Sequence, residues 1–304
     1  MASENQNTRA TPITPTPSED KNQPLTKHSY HHSFFQLNCH NRYDSTLSVL
    51  NTELTHMALL LQELWTNPYD WLPPTHQNWN RYTPRMTPTN RNKRSRACIY
   101  INKSIPSHQI RYLPDNNNLM CWVTINNIHP TVPKITLLSL YKTPTKVDGL
   151  PPLQTWLNNI FRRDIPTFIM TDSNLHHRLW NPPHYSHTHP EAKNLIKMCG
   201  KKGFTLISPK KVPTRQHTTI NLTWANHIAR HLHPETSTKL NNHSSDHQPI
   251  ITKIQPLDPG LRQEARHLSI AIGKLDHKAF LFSIQEKLNT HAHCPPDANA
   301  TTIS

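Results

Sequence analysis

Four short segments set polar and ionisable side chains at the ends of apolar runs: Gln36-Leu37-Asn38, Gln62-Glu63, Thr171-Asp172-Ser173-Asn174 and Ser245-Asp246-His247. Strand and helix ends are where a scaffold aims side chains into a shared site. The set offers the carboxylates of Glu63, Asp172 and Asp246, several amides and one imidazole. Carboxylate and carbonyl oxygens suit a hard cation such as Mg²⁺ or Mn²⁺. Phosphodiester cleavage asks for such a cation, for a group that orients or deprotonates water, and for donors to the charge that develops on phosphorus. This inventory meets all three needs. Each segment alone is ordinary capping or turn chemistry, so the weight lies in the set.

These groups need elements to carry them. Ser33–Cys39 reads as a buried strand, and Asp44 or Ser45 can cap a helix behind it. Leu47, Leu50, Leu54, Met57 and Leu61 recur at three- and four-residue spacing, which predicts one helix over 46–62 ending at Gln62-Glu63. Residues 66–95, rich in Pro, Asn and Arg, read as a long loop. Strands are expected at 97–101, 119–125, 135–140, 166–171, 204–208, 219–225 and 249–254. Leu153, Trp156, Leu157, Ile160 and Phe161 mark a second helix. A third runs from Pro190-Glu191 to about Lys202, with Gly203 just past its end. A last helix is expected at about 275–289. Strands with interspersed helices make an α/β (α+β) domain. It is expected over 31–256, behind a disordered Pro/Thr-rich segment at 1–30 and before a helical linker and disordered tail at 257–304.

Composition narrows the partners. In 304 residues, 33 Lys+Arg face 19 Asp+Glu, for a net charge of +14, which favours a polyanion, nucleic acid first. Arg91, Lys93, Arg94 and Arg96 belong to one acid-free basic cluster; Arg215 belongs to a second, with Lys201, Lys202, Lys210 and Lys211. Only 5 residues are Gly, which speaks against the glycine-rich loops of dinucleotide and P-loop sites and so against a small-molecule cofactor. Val, also 5, is equally scarce. Gly, Val, Ala, Asp and Glu share codons that begin with G, so we hypothesise a G-poor coding strand. G as common as C at synonymous third positions of the gene would remove that idea. The 5 Cys show no paired spacing, which fits a reducing compartment. The N-terminus has no apolar core of a signal peptide, and no run approaches a membrane span. The reading is a soluble, intracellular protein without a membrane partner. His227 and His231 lie four apart, but Ile228 stands where a zinc protease needs Glu. His184, His187 and His189 lack a clear fourth ligand, and the 23 His read as surface residues.

Taken in order, the segments resemble the endonuclease/exonuclease/phosphatase superfamily, and within it the apurinic-like endonuclease of non-LTR (LINE-type) retrotransposons. The run from Phe168 through Thr171-Asp172-Ser173-Asn174 to His176-His177-Arg178-Leu179-Trp180 is similar to that subgroup's strand, Gly-Asp-Phe-Asn, then His-His-x-x-Trp. Pro213-Thr214-Arg215, Ile220-Asn221-Leu222 and Ser244-Ser245-Asp246-His247 follow in the same order. The resemblance covers about residues 34–290.

The resemblance implies a four-layer α/β/β/α sandwich of two facing mixed sheets and a Mg²⁺-dependent endonuclease. Such an enzyme nicks DNA to leave a 3′-hydroxyl that primes reverse transcription of the element's RNA, and it acts in the nucleus. By position it makes Glu63 the main metal ligand, with Asn38 and Asp246 in the metal site. Tyr141 hydrogen-bonds the scissile phosphate, Asp172 activates water, Asn174 holds that water or a phosphate oxygen, and His247 supports the transition state. His176 and His177 join the basic residues as expected DNA contacts. Three positions depart from the pattern: Thr171 stands for Gly, Ser173 for Phe, and Asn221 for the Asp that holds the catalytic His. Asn221 supplies no negative charge, so weakened activity is expected. The alternative reading is a catalytically dead remnant that still binds nucleic acid. A phosphatase or phospholipid esterase of the same superfamily is a third, disfavoured by the basic loops.

Overall fold

The computed structural model describes residues 31–85, 94–114, 116–144, 150–240 and 242–255. The segments expected to be disordered or helical at 1–30 and 257–304, with the helix at 275–289, lie outside the described residues.

Two six-stranded mixed sheets face each other. The first has the order β11 (Glu235–Thr238), β12 (Ile250–Lys253), β1 (His31–Asn38), β2 (His56–Gln62), β4 (Ala97–Asn102), β3 (Trp79–Tyr82). The second runs β5 (Ile110–Tyr112), β6 (Met120–His129), β7 (Val132–Tyr141), β8 (Thr167–Asp172), β10 (Asn221–Asn226), β9 (Phe204–Leu206). Only one pair in each sheet is parallel, β1 with β2 and β7 with β8. Asn38, Gln62, Tyr141 and Asp172 therefore all stand at strand C-terminal ends.

The inner faces make the main core. Phe34, Ala58, Leu60, Ile99 and Ile101 of one sheet meet Val123, Ile135, Leu137, Phe168 and Met170 of the other. The rings of Phe34 and Phe168 lie 5.2 Å apart across the gap. Each of these side chains larger than Ala58 contributes about 1.5–3 kcal/mol through removal of apolar surface from water. Toward the site end the inner face turns polar: Gln62 Nε2 donates to Ser139 Oγ at 2.9 Å, and Thr223 Oγ1 to Gln36 Oε1 at 3.2 Å.

On the outer face of the first sheet, α1 (Tyr43–Thr52) buries Val49 and Leu50 against Phe35, Leu59 and Tyr100. On the second, α2 (Leu150–Asn159) and α3 (Pro190–Lys201) bury Leu153, Trp156 and Leu195 against Leu138, Ile169 and Trp224. The expected four layers are present. Gly203 sits past α3 at φ +80°, a left-handed residue that only glycine adopts freely. A one-turn helix, α4 (His227–Arg230), completes the order.

One expectation is corrected. The helix over 46–62 is α1 followed by β2. All seven residues of β2, His56-Met57-Ala58-Leu59-Leu60-Leu61-Gln62, are buried, because a central strand is covered on both faces. Such a strand reads as an unbroken apolar run, and its leucines continued the helical spacing by coincidence. The long loop at 66–95 likewise contains β3. Among the described residues no helix is long and apolar enough to cross a membrane.

Candidate active site

The two parallel pairs end side by side. Asn38 ends β1 and donates its amide to two carboxylates, Glu63 Oε2 at 2.9 Å and Asp172 Oδ2 at 2.5 Å. Its own Oδ1 accepts the His40 N–H at 2.7 Å. Residues 134 apart in sequence are thus joined by one side chain. Glu63, just past β2, adopts φ +45°, which turns its carboxylate back over the strand ends. Its Oε1 accepts from the Arg96 guanidinium and from Asn41 Nδ2 at 3.3 Å.

Tyr141 and Asp172 are register partners across β7 and β8, and Asn221 is the antiparallel partner of Asp172 in β10. One strand end therefore presents Tyr141, Asp172 and Asn221 in a row. Burial, and then the charges of Glu63 and Asp172, push the Tyr141 hydroxyl far above its ordinary range, so it stays a donor. The Arg96 guanidinium lies 5.3 Å over its ring. Asn174, at φ +46°, folds back so that its N–H donates to Asp172 Oδ1 at 3.2 Å and its Nδ2 to the Lys142 carbonyl at 2.7 Å. Asp172 is wholly buried. Burial first, and the charge of Glu63 against the opposing bond from Asn38, raise its carboxyl to about 7.

The third group arrives on the loop between β11 and β12. Ser245 Oγ donates to the Asn38 carbonyl at 2.6 Å and accepts the His247 N–H at 3.1 Å. His247 Nδ1 lies 3.2 Å from Asn221 Oδ1. Burial lowers the imidazole to about 4 despite the neighbouring Asp246, so it is neutral at physiological pH. Asp246 is part-exposed and held by Arg215 Nε at 2.8 Å and His40 Nδ1 at 3.2 Å. Burial opposes its ionisation, but His247 and Arg215 keep the carboxyl below its usual value.

The structure thus brings Asn38, Glu63, Tyr141, Asp172, Asn174, Asn221, Asp246 and His247 to one end of the sandwich. Arg96 sits on Glu63, inside the group, and Arg94 donates to Asn41 at 3.2 Å at its rim. Arg91 and Lys93 lie outside the described residues. His176 is half-buried and stacks on Tyr185 with ring centres 4.6 Å apart. With Asn174, His189 and Arg215 it lines a cleft of about 420 Å³ beside Asp172. His177 stacks on Trp180 at 5.2 Å, and its Nδ1 accepts the Leu179 N–H. Trp180 is fully buried and donates to the Leu175 carbonyl at 3.0 Å.

Of the departures, Ser173 Oγ donates to the Ile220 carbonyl at 2.8 Å and so ties the turn to β10. Thr171 is buried with its hydroxyl unpartnered. Sequence reasoning missed His40 and Asn41, and gave Ser245, though in one of the four segments, no role of its own. It also missed the buried pair of Lys142 Nζ and Glu191 Oε2 at 3.1 Å, which fixes the start of α3 beside the site. No spacing signal pointed to these residues, since each meets its partner through the fold.

The residues present fit a divalent cation. The acidic and amide groups offer oxygen donors only, as a hard cation requires. Among the described residues no three His, Cys, Asp or Glu side chains close a full cage.

The family model described as endonuclease-reverse transcriptase matches residues 135–251. Comparison with curated proteins finds no match by sequence. Among solved structures, the endonuclease domain of TRAS1, a telomere-specific non-LTR retrotransposon, superposes with TM-score 0.59 at 16% identity, covering 75% of this chain and 100% of that one. An AP endonuclease from Leishmania major gives 0.57 at 13% identity, over 74% of this chain and 88% of that one. One from Archaeoglobus fulgidus gives 0.55 at 12%, over 73% and 98%. At such identities these structures are alike in fold. They show that the chain has the fold of the retrotransposon and AP endonucleases, and its β7-to-β12 part matches the endonuclease-reverse transcriptase family model.

Proposed function

We propose that this protein is a Mg²⁺-dependent DNA endonuclease that nicks a target strand and leaves a 3′-hydroxyl for copying an element's RNA. The observation that carries the reading is the meeting of Asn38, Glu63, Tyr141, Asp172, Asn174 and His247 at one end of two sheets. Glu63 and Asp246, with Asn38, would hold the cation, which would supply Lewis-acid stabilisation to the phosphate. Asp172, titrating near neutral pH, is suited to take a proton from attacking water. The Asn38 amide that covers it is the group this water must displace. Asn174 would orient the water or a phosphate oxygen. The Tyr141 hydroxyl would donate to the scissile phosphate and neutral His247 to a non-bridging oxygen, stabilising the charge that develops there. The partner is DNA, with the element's RNA as the later template, and the place of action is the nucleus.

A supercoiled plasmid incubated with Mg²⁺ should be nicked, EDTA should stop the reaction, and Asp172→Ala should abolish it. No EDTA-sensitive nicking and no effect of Asp172→Ala would reject the proposal. A second reading has its own observation: Asn221 faces His247 without the negative charge that would support an imidazolium. On that reading the protein binds nucleic acid and cuts it poorly or not at all.

A further inference from the structure

The buried polar cluster around Glu53, at the far end of α1, is not part of the chemistry described above. Glu53 is the residue after α1 and is almost fully buried. Its Oε1 accepts from Lys239 Nζ at 2.9 Å and His243 Nε2 at 3.1 Å, and its Oε2 from His56 Nε2 at 3.1 Å. His243 has no exposed surface; its Nδ1 lies 2.9 Å from Ser48 Oγ, and its ring meets Phe35 edge-on at 5.7 Å. Burial alone would raise the Glu53 carboxyl, but His243, His56 and Lys239 hold it far below its usual range. The Glu53 carboxylate is thus ionised, with both oxygens engaged.

Lys239 and His243 belong to the connection between β11 and β12, the loop that delivers Asp246 and His247. Two residues, Ser244 and Ser245, separate His243 from Asp246. Between them Ser244 adopts φ +59°, a left-handed conformation that costs a non-glycine residue about 1 kcal/mol and persists only where the surroundings impose it. On one side His243 is locked to Glu53; on the other Ser245 is bonded to the Asn38 carbonyl. A loop clamped on both sides of a strained residue is pre-organised.

We infer that Glu53 and His243 are positioning residues: through Ser244 they hold the Asp246-His247 segment in the geometry the site uses. The inference rests on the reading of Asp246 and His247 as site residues. A charged, desolvated anchor suits this role because a neutral one would tolerate small shifts, and a displacement of about 1 Å at a reacting group can cost on the order of a hundredfold in rate.

Glu53→Gln, His243→Gln and the milder Ser48→Ala test it, beside Leu153→Ala in α2, compared at matched loss of Tm. Hydrogen exchange is read at the amides of His247, bonded to Ser245 Oγ, and of Gln248, bonded to the Thr214 carbonyl at 2.7 Å. These amides should exchange about tenfold faster or more in the loop-anchor variants and not in Leu153→Ala, with Ser48→Ala showing a smaller change of the same sign. Nicking should lose about 10- to 100-fold in kcat with KM nearly unchanged. Wild-type exchange at both amides in Glu53→Gln and His243→Gln would overturn the inference, as would equal acceleration in Leu153→Ala. If the wild-type protein does not nick, the endonuclease reading fails, and the exchange measurement still decides whether the anchor holds the loop.

Discussion

At the scale of the residue, the sharpest features are two neighbouring groups displaced in opposite directions. Asp172 rises from 3.8 to about 7 in the folded protein. Between roughly pH 4 and 7 the folded state therefore holds more protons than the unfolded one, and stability falls as pH rises through that window. Asp172→Asn should raise Tm by several degrees at pH 8 without metal and leave it unchanged at pH 4, measured by calorimetry. Mg²⁺ should raise the Tm at pH 8 of wild type and variant alike, since Glu63, Asp246 and Asn38 are unchanged. His247 falls from 6.5 to about 4, so its neutral form is favoured by folding and its contribution is lost as pH drops from about 6.5 to 4. A carboxylate at 221 would change that. Asn221→Asp should raise the His247 pKa, visible by NMR titration, and raise nicking about tenfold or more if a charged imidazole serves the transition state. A revertant with the raised pKa and unchanged cleavage would favour the binding-only reading.

At the scale of the element, the His-His-x-x-Trp run is a turn built around its last residue. Trp180 fills the space over β10, 6.4 Å from the Trp224 ring, and its indole bonds the Leu175 carbonyl. Trp180→Ala should cost about 3–5 kcal/mol in denaturant unfolding, whereas His177→Ala, half on the surface, should stay within about 0.5 kcal/mol. The same distinction explains what was legible beforehand. Strands β1, β4, β6, β7, β8, β10 and β12 and helices α2 and α3 could be placed from apolar runs, helical spacing and the Pro190 and Gly203 signals, because each buries one face or one short run. The α1–β2 boundary could not, because a doubly buried strand erases the alternation that marks it. β5, β9 and β11 are three or four residues long, too short for any period to show; only β9 lies in a run long enough to be noticed. The resemblance named the principal site residues, while Arg96 on Glu63, His40 on Asp246 and the Glu53 cluster are contacts between distant elements that no local pattern encodes.

At the scale of the whole molecule, a charge of +14 governs association. If phosphate contacts carry DNA binding, as the proposal holds, affinity should fall about a thousandfold or more between 50 and 200 mM salt, for six or more contacts. Fluorescence anisotropy of a labelled duplex measures the slope, and a flat response would contradict a backbone-led interface. Arg94→Gln or Arg215→Gln should each flatten the slope by about one contact.

The pairing of β1 with β12 has a further consequence. The first and last described strands lie side by side and antiparallel, with the Ile254 N–H bonded to the His32 carbonyl at 2.8 Å. The chain therefore enters and leaves this domain through neighbouring points, at the end of the sandwich away from the catalytic cluster. A unit whose ends meet can be spliced between other sequences without being pulled open. Joining 255 to 31 by a short flexible linker and opening the chain at the exposed Pro130 turn between β6 and β7 should give a circular permutant that folds and keeps the wild-type cleavage rate. The architecture is portable: a folded module whose adjoining ends let it be set into a longer chain.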